Sequence, residues 1–293
     1  MQAQLLDDQA RSTPRVPLYH YTVEAALRGI LEHRSLWCFS HSQQSDDTEV
    51  IYSFEIAQRV IRDEIESGNP VVKTILRGLD DILASNPMSK TFDFYFFSLS
   101  SHRDHARQWC EYGGDRKGFA IGFAPTLFQP NGTDLKPVPN ENIFVGKVVY
   151  GRPATVTRHR RGVRKLAEII ARVQRANPHL VRGQNLRAWF SAMNKALIAE
   201  LLIWNCLTAK SERYRDEQET RYIIMGVCAL FDGIRKQHIG RNYVDAPLPL
   251  SNPGNISEII VGPDAPRDAE TMVTSLLSRF GYPPGIPVLR SEC

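Results

Sequence analysis

The chain of 293 residues carries 42% apolar, 23% charged and 9% aromatic side chains, a globular balance that excludes a disordered or collagen-like polypeptide. Its formal net charge of +4 is too small, as a global figure, to argue for nucleic acid or an anionic membrane as partner. The longest apolar stretch, 196–207, is broken by Glu200 and Asn205 and falls short of the ~18 to 20 residues a bilayer-spanning helix needs.

Asp7 and Asp8 stand near the start, with no basic beginning and no apolar run, which argues against a secretory signal. Five widely spread cysteines, Cys38, Cys110, Cys206, Cys228 and Cys293, form no C-x-x-C pair, so reduced thiols and a cytoplasmic location are expected. Residues 1–16 have no apolar period and read as a flexible tail, with Pro14 and Pro17 stiffening the entry to the first ordered segment.

Leu18 to Tyr21 reads as a short strand, and Thr22 as the N-cap of a helix carrying Ala25, Ala26, Ile30 and Leu31 at helical spacing. A second strand is expected over Ser35 to Ser40. Glu49 to Asp63 and Val71 to Leu83 have the apolar period of amphipathic helices, split at Gly68-Asn69-Pro70. Aromatic, β-prone sequence predicts strands over Thr91 to Ser100 and Gly118 to Phe123, the latter with Phe119, Ile121 and Phe123 on one face. Asn142 to Tyr150 adds another strand.

Thr157 to Thr208 is helical in pattern, with a break near Asn177-Pro178 and a second helix carrying Leu186, Trp189, Phe190, Met193, Leu197, Leu201 and Trp204. Strands return at Glu219 to Cys228 and Ile256 to Val261, followed by a helix over Asp268 to Phe280 and a strand at Ile286 to Leu289. Because strands flank the helical stretch on both sides, the pattern predicts one α+β domain over 17–293 with a helical insert at about 157–208.

Four segments could carry chemistry. His20 lies on a strand leading into a helix N-terminus, a place that favours anions. Trp109 and Tyr112 are one turn apart before a Gly-Gly turn, as a stacking platform or a hydrophobic plug. Glu217, Glu219 and Arg221 alternate and share one face if strand geometry already begins at Glu217. Residues 152–187 hold ten cations against Glu168 alone; they form either a solvated face paired with the acidic stretch Asp46 to Asp81 or a phosphate-contacting surface. His102 and His105 lack further ligands at metal-site spacing, so no metal is expected. There is no phosphate-binding P-loop, no G-x-G-x-x-G and no G-x-S-x-G.

Leu18-Tyr19-His20-Tyr21-Thr22, Ser35-Leu36-Trp37, the run from Gln108 to Phe123, Lys147 to Tyr150, Glu217 to Arg221 and Ile259 to Pro263, in that order, resemble the bacterial domain-of-unknown-function family 2971 over roughly 18–290. A more distant resemblance suggests a reaction. His20 with Thr22, ahead of a helix ending near Gly29-Ile30-Leu31, is similar to the first motif of the ADP-ribosyltransferase superfamily in its histidine, tyrosine, glutamate branch.

That resemblance implies a mixed, mainly antiparallel sheet and an enzyme that cleaves the nicotinamide–ribose bond of NAD, such as a toxin or phage-defence effector. It implies that His20 holds the ribose and that Glu219, or Glu217 before it, is the catalytic carboxylate. Trp37, Trp109 and Tyr112 compete as the ring that stacks on nicotinamide, and Arg221 would face the pyrophosphate. Tyr19, Tyr21, Thr22, Ser98 and Ser100 complete the expected NAD-binding set. The acceptor, protein or nucleic acid, stays open. The alternative is a noncatalytic nucleotide or nucleic-acid module working through Arg158, Arg160, Arg161, Arg164 and Lys165.

Overall fold

The structure, a computed structural model, describes residues 11–40, 48–67, 92–128, 143–176 and 199–293, together with 70, 72–74, 76–77, 80 and 178. In chain order the elements are β1 (Leu18–Thr22), α1 (Glu24–His33), β2 (Ser35–Ser40), α2 (Thr48–Ser67), β3 (Phe92–Ser100), α3 (Ala106–Glu111), β4 (Phe119–Phe123) and β5 (Ile143–Lys147). After these come β6 (Val149–Tyr150), α4 (Arg152–Ala176), α5 (Ala199–Leu207), β7 (Ala209–Lys210), β8 (Glu219–Val227), β9 (Lys236–His238), β10 (Arg241–Pro247), β11 (Ile256–Val261), α6 (Ala269–Arg279) and β12 (Val288–Arg290). The expected break at 68–69, most of the helix over 71–83, and the helix carrying Leu186 to Leu197 lie outside the described residues, as do residues 1–10. Among the described residues no helix is long and apolar enough to cross a membrane.

The chain divides into two compact units, one drawing on Ser12–Gln43, Phe94–Lys147 and Asp216–Cys293, the other on Gln44–Asp93 and Val148–Arg215. The first holds a sheet in the order β12-β11-β4-β1-β3-β2-β10-β9, with β8 pairing β3 and β5 pairing β8. β11 and β12 run parallel, whereas β1–β3, β1–β4, β2–β3, β2–β10, β4–β11, β5–β8 and β9–β10 are antiparallel. The fold is thus mixed α+β with a mainly antiparallel sheet.

Strand alternation decides which side chains enter the core. Leu18 on β1, Phe119, Ile121 and Phe123 on β4, and Ile259 and Val261 on β11 point into one cluster. Leu27, Ile30 and Leu31 of α1 close over it, as do Val273, Leu276 and Leu277 of α6, each trio spaced i, i+3, i+4 along one helix face. Each such side chain contributes roughly 1.5 to 3 kcal/mol by burial. The opposite face buries Tyr19, Tyr21, Trp109, Ala120 and Ile260.

Thr22 is not the cap of α1. It is the last residue of β1, paired with Phe119, and Val23 takes the cap position without a side-chain bond. The strand simply runs one residue further, because its register with β4 is held by five consecutive pairs. Gly118 at the start of β4 is sterically required, since a Cβ there would stand 2.1 Å from the Thr22 carbonyl oxygen.

The strand expected over Asn142 to Tyr150 is two strands. β5 pairs β8, while Val149 and Tyr150 pair with Ala209 and Lys210 in a separate parallel two-stranded sheet. The helix after it begins at Arg152 rather than Thr157, because Gly151 turns the chain at a φ of 85° and Pro153 is tolerated in a first turn. The β9–β10 hairpin is an addition to the expected elements. Ile239 and Gly240 join its strands with φ of 47° and 72°, the pair of left-handed residues that a two-residue hairpin turn demands.

In the helical unit, Ile56, Val60 and Ile61 of α2 pack with Val163 and Leu166 of α4 and Leu202 of α5. Beside this cluster lies a sealed polar group, in which the Ser53 hydroxyl is 3.1 Å and the Cys206 thiol 4.0 Å from His159 Nε2. All three residues are fully buried. Burial, with Arg158 adjacent, pushes the His159 pKa down to about 4 from an ordinary 6.5. Between those values the unfolded chain binds a proton that the folded chain does not, so stability is present above pH 6.5 and lost as pH falls toward 4. Urea midpoints measured at about pH 7 and about pH 5 are expected to fall in wild type and to fall less in His159→Gln. Equal falls in both would show that His159 does not set the acid sensitivity.

Candidate functional site

β3 pairs with β1 at Ser100 and with β2 at Phe96 and Tyr95, so Ser98 lies between two pairings. His20 Nδ1 is 3.1 Å from the Ser98 carbonyl oxygen, and the imidazole lies 4.1 Å from the Phe97 ring. The half-buried ring is pushed down to a pKa of about 4, because desolvation outweighs the hydrogen bond to Ser98. It is neutral at physiological pH.

The Ser98 side chain projects from the opposite face of the sheet, because His20 shares its face with Ile121 and Phe97 while Ser98 shares that of Ser100 and Tyr19, and it is exposed. Its hydroxyl donates to Glu219 Oε1 at 2.7 Å. Arg221, two residues along β8 and on the same face, donates from Nε to Glu219 Oε1 at 2.8 Å and from Nη2 to Oε2 at 3.1 Å. Its guanidinium lies 4.9 Å from the Phe96 ring. Glu219 and Arg221 are 6% and 1% exposed, so this is a desolvated, two-point ion pair, the geometry that a planar guanidinium forms with a carboxylate.

Glu217 does not share this face. It ends a tight 3-10 turn over Glu212–Glu217, Gln218 follows with a φ of 41°, and only then does β8 begin. The left-handed residue breaks the strand alternation between Glu217 and Glu219. Glu217 instead accepts the Tyr112 hydroxyl at 3.0 Å, and its carbonyl accepts the Ser100 hydroxyl at 2.7 Å.

The other expected residues divide clearly. Trp109 is fully buried, edge-on to Tyr21 at 4.8 Å, and its indole N–H donates to Asp104 at 2.5 Å; it is a core residue. Tyr112 is 45% exposed and available for stacking. Tyr19 and Tyr21 are buried on the face of β1 opposite His20, the face that Ser98 and Ser100 share, bonded to Glu258 and to the His102 carbonyl. Trp37 is half-buried and stacked on Tyr243 at 4.5 Å. Arg221 is committed to Glu219, with its guanidinium turned inward rather than toward solvent.

Asp104 joins the site residues only in the structure, and nothing in the local sequence marks it. Burial alone would raise its pKa, but bonds from Trp109, the Glu292 amide and Ser291 outweigh burial and hold it below the usual carboxylate range. Asp104 thereby fixes the segment that carries Trp109 and Tyr112. His102 and His105 stack at 4.4 Å, and among the described residues no group of three or more His, Cys, Asp or Glu is placed to hold a metal ion.

The basic helix α4 answers acids of α2: Arg164 bonds Glu64 at 2.7 Å and Arg160 lies 3.9 Å from Asp63. Arg158 donates to the Thr208 hydroxyl at 2.6 Å, and Lys165 lies 3.5 Å from Glu168. Arg161 is exposed. Arg160, Arg164 and Lys165 are thus matched by acids of the same unit, as on a solvated helix face.

The fold and these contacts define a mixed α+β protein with a buried carboxylate–guanidinium pair joined through one serine to a strand-borne histidine. Residues 108–222 match the model of a family described as Protein of unknown function (DUF2971), which supports a domain-of-unknown-function family. The matched span includes Trp109, Tyr112, Glu217, Glu219 and Arg221 and ends before β9; His20 and Ser98 precede it. No curated protein and no solved structure matches the chain.

Proposed function

We propose that this protein is an NAD-consuming enzyme of the ADP-ribosyltransferase-like kind, cleaving the nicotinamide–ribose bond beside Glu219. One observation supports the reading above the others: Glu219 is a buried carboxylate fixed by the Ser98 hydroxyl and by two N–H groups of Arg221, while on the opposite face of the sheet the Ser98 carbonyl fixes the His20 ring. A carbonyl oxygen only accepts, so Nδ1 carries the hydrogen and the neutral ring keeps its lone pair on Nε2. A ligand hydroxyl on the His20 face of the sheet can donate to that lone pair.

When the bond breaks, nicotinamide leaves with the bonding electron pair and positive charge develops on an oxocarbenium-like ribose. A carboxylate already fixed in position stabilises that charge without reorganising at the moment of reaction. In this reading Arg221 is a positioning residue that holds Glu219 in one rotamer, and Tyr112 and Trp37 offer the ring faces on which nicotinamide would stack. A bacterial toxin or phage-defence effector is the setting that NAD depletion or transfer would serve.

The test is nicotinamide release from NAD by the purified full chain, with Glu219→Gln and His20→Ala beside it. Release by wild type and its loss in both variants is the expected result. Release undiminished in both variants would overturn the assignment.

A further inference from the structure

The face that carries Glu219 continues across the sheet into an aromatic and cationic surface. Directly opposed residues of an antiparallel pair project to the same side. Phe39 opposes Phe96, Tyr243 opposes Phe39, and Arg241 and His238 oppose each other across the β9–β10 hairpin. With period two along each strand, Phe96 shares its face with Ser98, Phe39 with Trp37, and Tyr243 with Arg241. The surface running from Ser98 and Glu219 through Phe96 therefore reaches the tip of the hairpin without changing side.

The rings on this surface are close together. Trp37 stacks on Tyr243 at 4.5 Å with planes 27° apart, His238 lies 4.9 Å from Trp37, and Phe39 lies 6.0 Å from Tyr243. The Arg241 guanidinium sits 4.4 Å over the Phe39 ring. His238 is exposed, Trp37, Phe39 and Arg241 are half-buried, and Tyr243 is buried beneath them. Arg241 Nε is buried with no hydrogen-bond acceptor among the described residues. A buried N–H donor without a partner is costly, and a planar guanidinium in a half-buried place suits a phosphate oxygen.

We propose that the face formed by Trp37, Phe39, His238 and Arg241 over the buried Tyr243 binds single-stranded nucleic acid, its bases stacking on the accessible rings and a phosphate meeting Arg241. Every base presents a π-face, so a row of rings beside a cation accepts a strand with little regard to sequence. The row spans β2 and β10, which gives room for more than the one base of a free nucleotide. The proposal goes beyond the NAD reading and is measured without NAD, so either can fail alone.

The experiment is fluorescence anisotropy of a short labelled oligothymidylate on the full chain at low ionic strength, with unlabelled strand and AMP as competitors. Wild type is expected to bind, more weakly as salt rises. The double variant Arg241→Gln, His238→Ala is expected to bind about tenfold or more weakly, the equivalent of one lost stacked base. Arg241→Lys, which keeps charge but not the flat stack, should lose most of the same affinity. Both residues lie at the hairpin surface, and circular dichroism checks that the fold is kept.

Absence of binding would overturn the proposal, as would unchanged affinity in the double variant. So would loss of binding in Arg161→Gln, Lys165→Gln alone, which would move the strand to the basic helix. Competition by AMP at the same concentration as the strand would replace nucleic acid by a mononucleotide.

Discussion

Glu219→Gln is expected to lower nicotinamide release from NAD by about a hundredfold to a thousandfold, the scale seen when one preorganised electrostatic contact to a transition state is removed. Glutamine keeps an oxygen to accept the Ser98 hydroxyl while the negative charge goes, and the buried Arg221 charge then faces a neutral amide, which lowers stability. The loss should therefore fall on turnover rather than on the Michaelis constant, since the charge it answers exists only as the bond breaks. Melting curves of both proteins set a temperature at which each is folded, and rates are compared there. Equal rates would remove Glu219 from the chemistry, and the same assay on Glu217→Gln would then test the carboxylate that receives Tyr112.

Arg221→Ala is expected to cost about 3 to 5 kcal/mol of stability, because it strands the Glu219 carboxylate in a desolvated place. The reason lies in the asymmetry of buried pairs. Their attraction barely repays the removal of two charges from water, yet breaking the pair leaves the whole desolvation cost of the survivor. Replacing both, as Glu219→Leu with Arg221→Met, should accordingly recover much of the stability lost in the single variant. Chemical denaturation of wild type, Arg221→Ala and the double variant measures this. A double variant no more stable than Arg221→Ala would mean that the pair is held by further contacts rather than by each other.

Much of the scaffold is legible in the sequence because it rests on local signals. The period-two apolar residues of 119–123 and the i, i+3, i+4 residues of α1 and α6 name their buried faces directly. β2 is readable to its residue bounds, yet its partner is not. β10 lies more than two hundred positions away, and the only mark of its hairpin is a glycine after a β-branched residue forced to positive φ. The site is half legible for a similar reason. His20 and Glu219 stand out as residue types, but their connection runs through the carbonyl of Ser98 on one side and its hydroxyl on the other, and a backbone acceptor leaves no trace in sequence.

Alternation misleads at Glu217. Charged residues at 217, 219 and 221 look like one strand face, but a left-handed Gln218 separates the first from the others, and only the backbone angle records it. At Trp109 spacing leaves two readings open. A tryptophan beside a Gly-Gly turn reads as a stacking platform or as a hydrophobic plug, and its fully buried ring and its bond to Asp104 make it the wedge between β1 and the segment that carries Tyr112.

The most direct measurement is the affinity of NAD, by calorimetric titration, for wild type, Glu219→Gln and His20→Ala. If the histidine holds the ribose and the glutamate acts only on developing charge, Glu219→Gln binds NAD about as wild type does and His20→Ala binds it at least about tenfold more weakly, as expected for a lost buried hydrogen bond. No binding by wild type, or equal binding by all three, would contradict the account, because the junction at Ser98 would then not be where NAD is held.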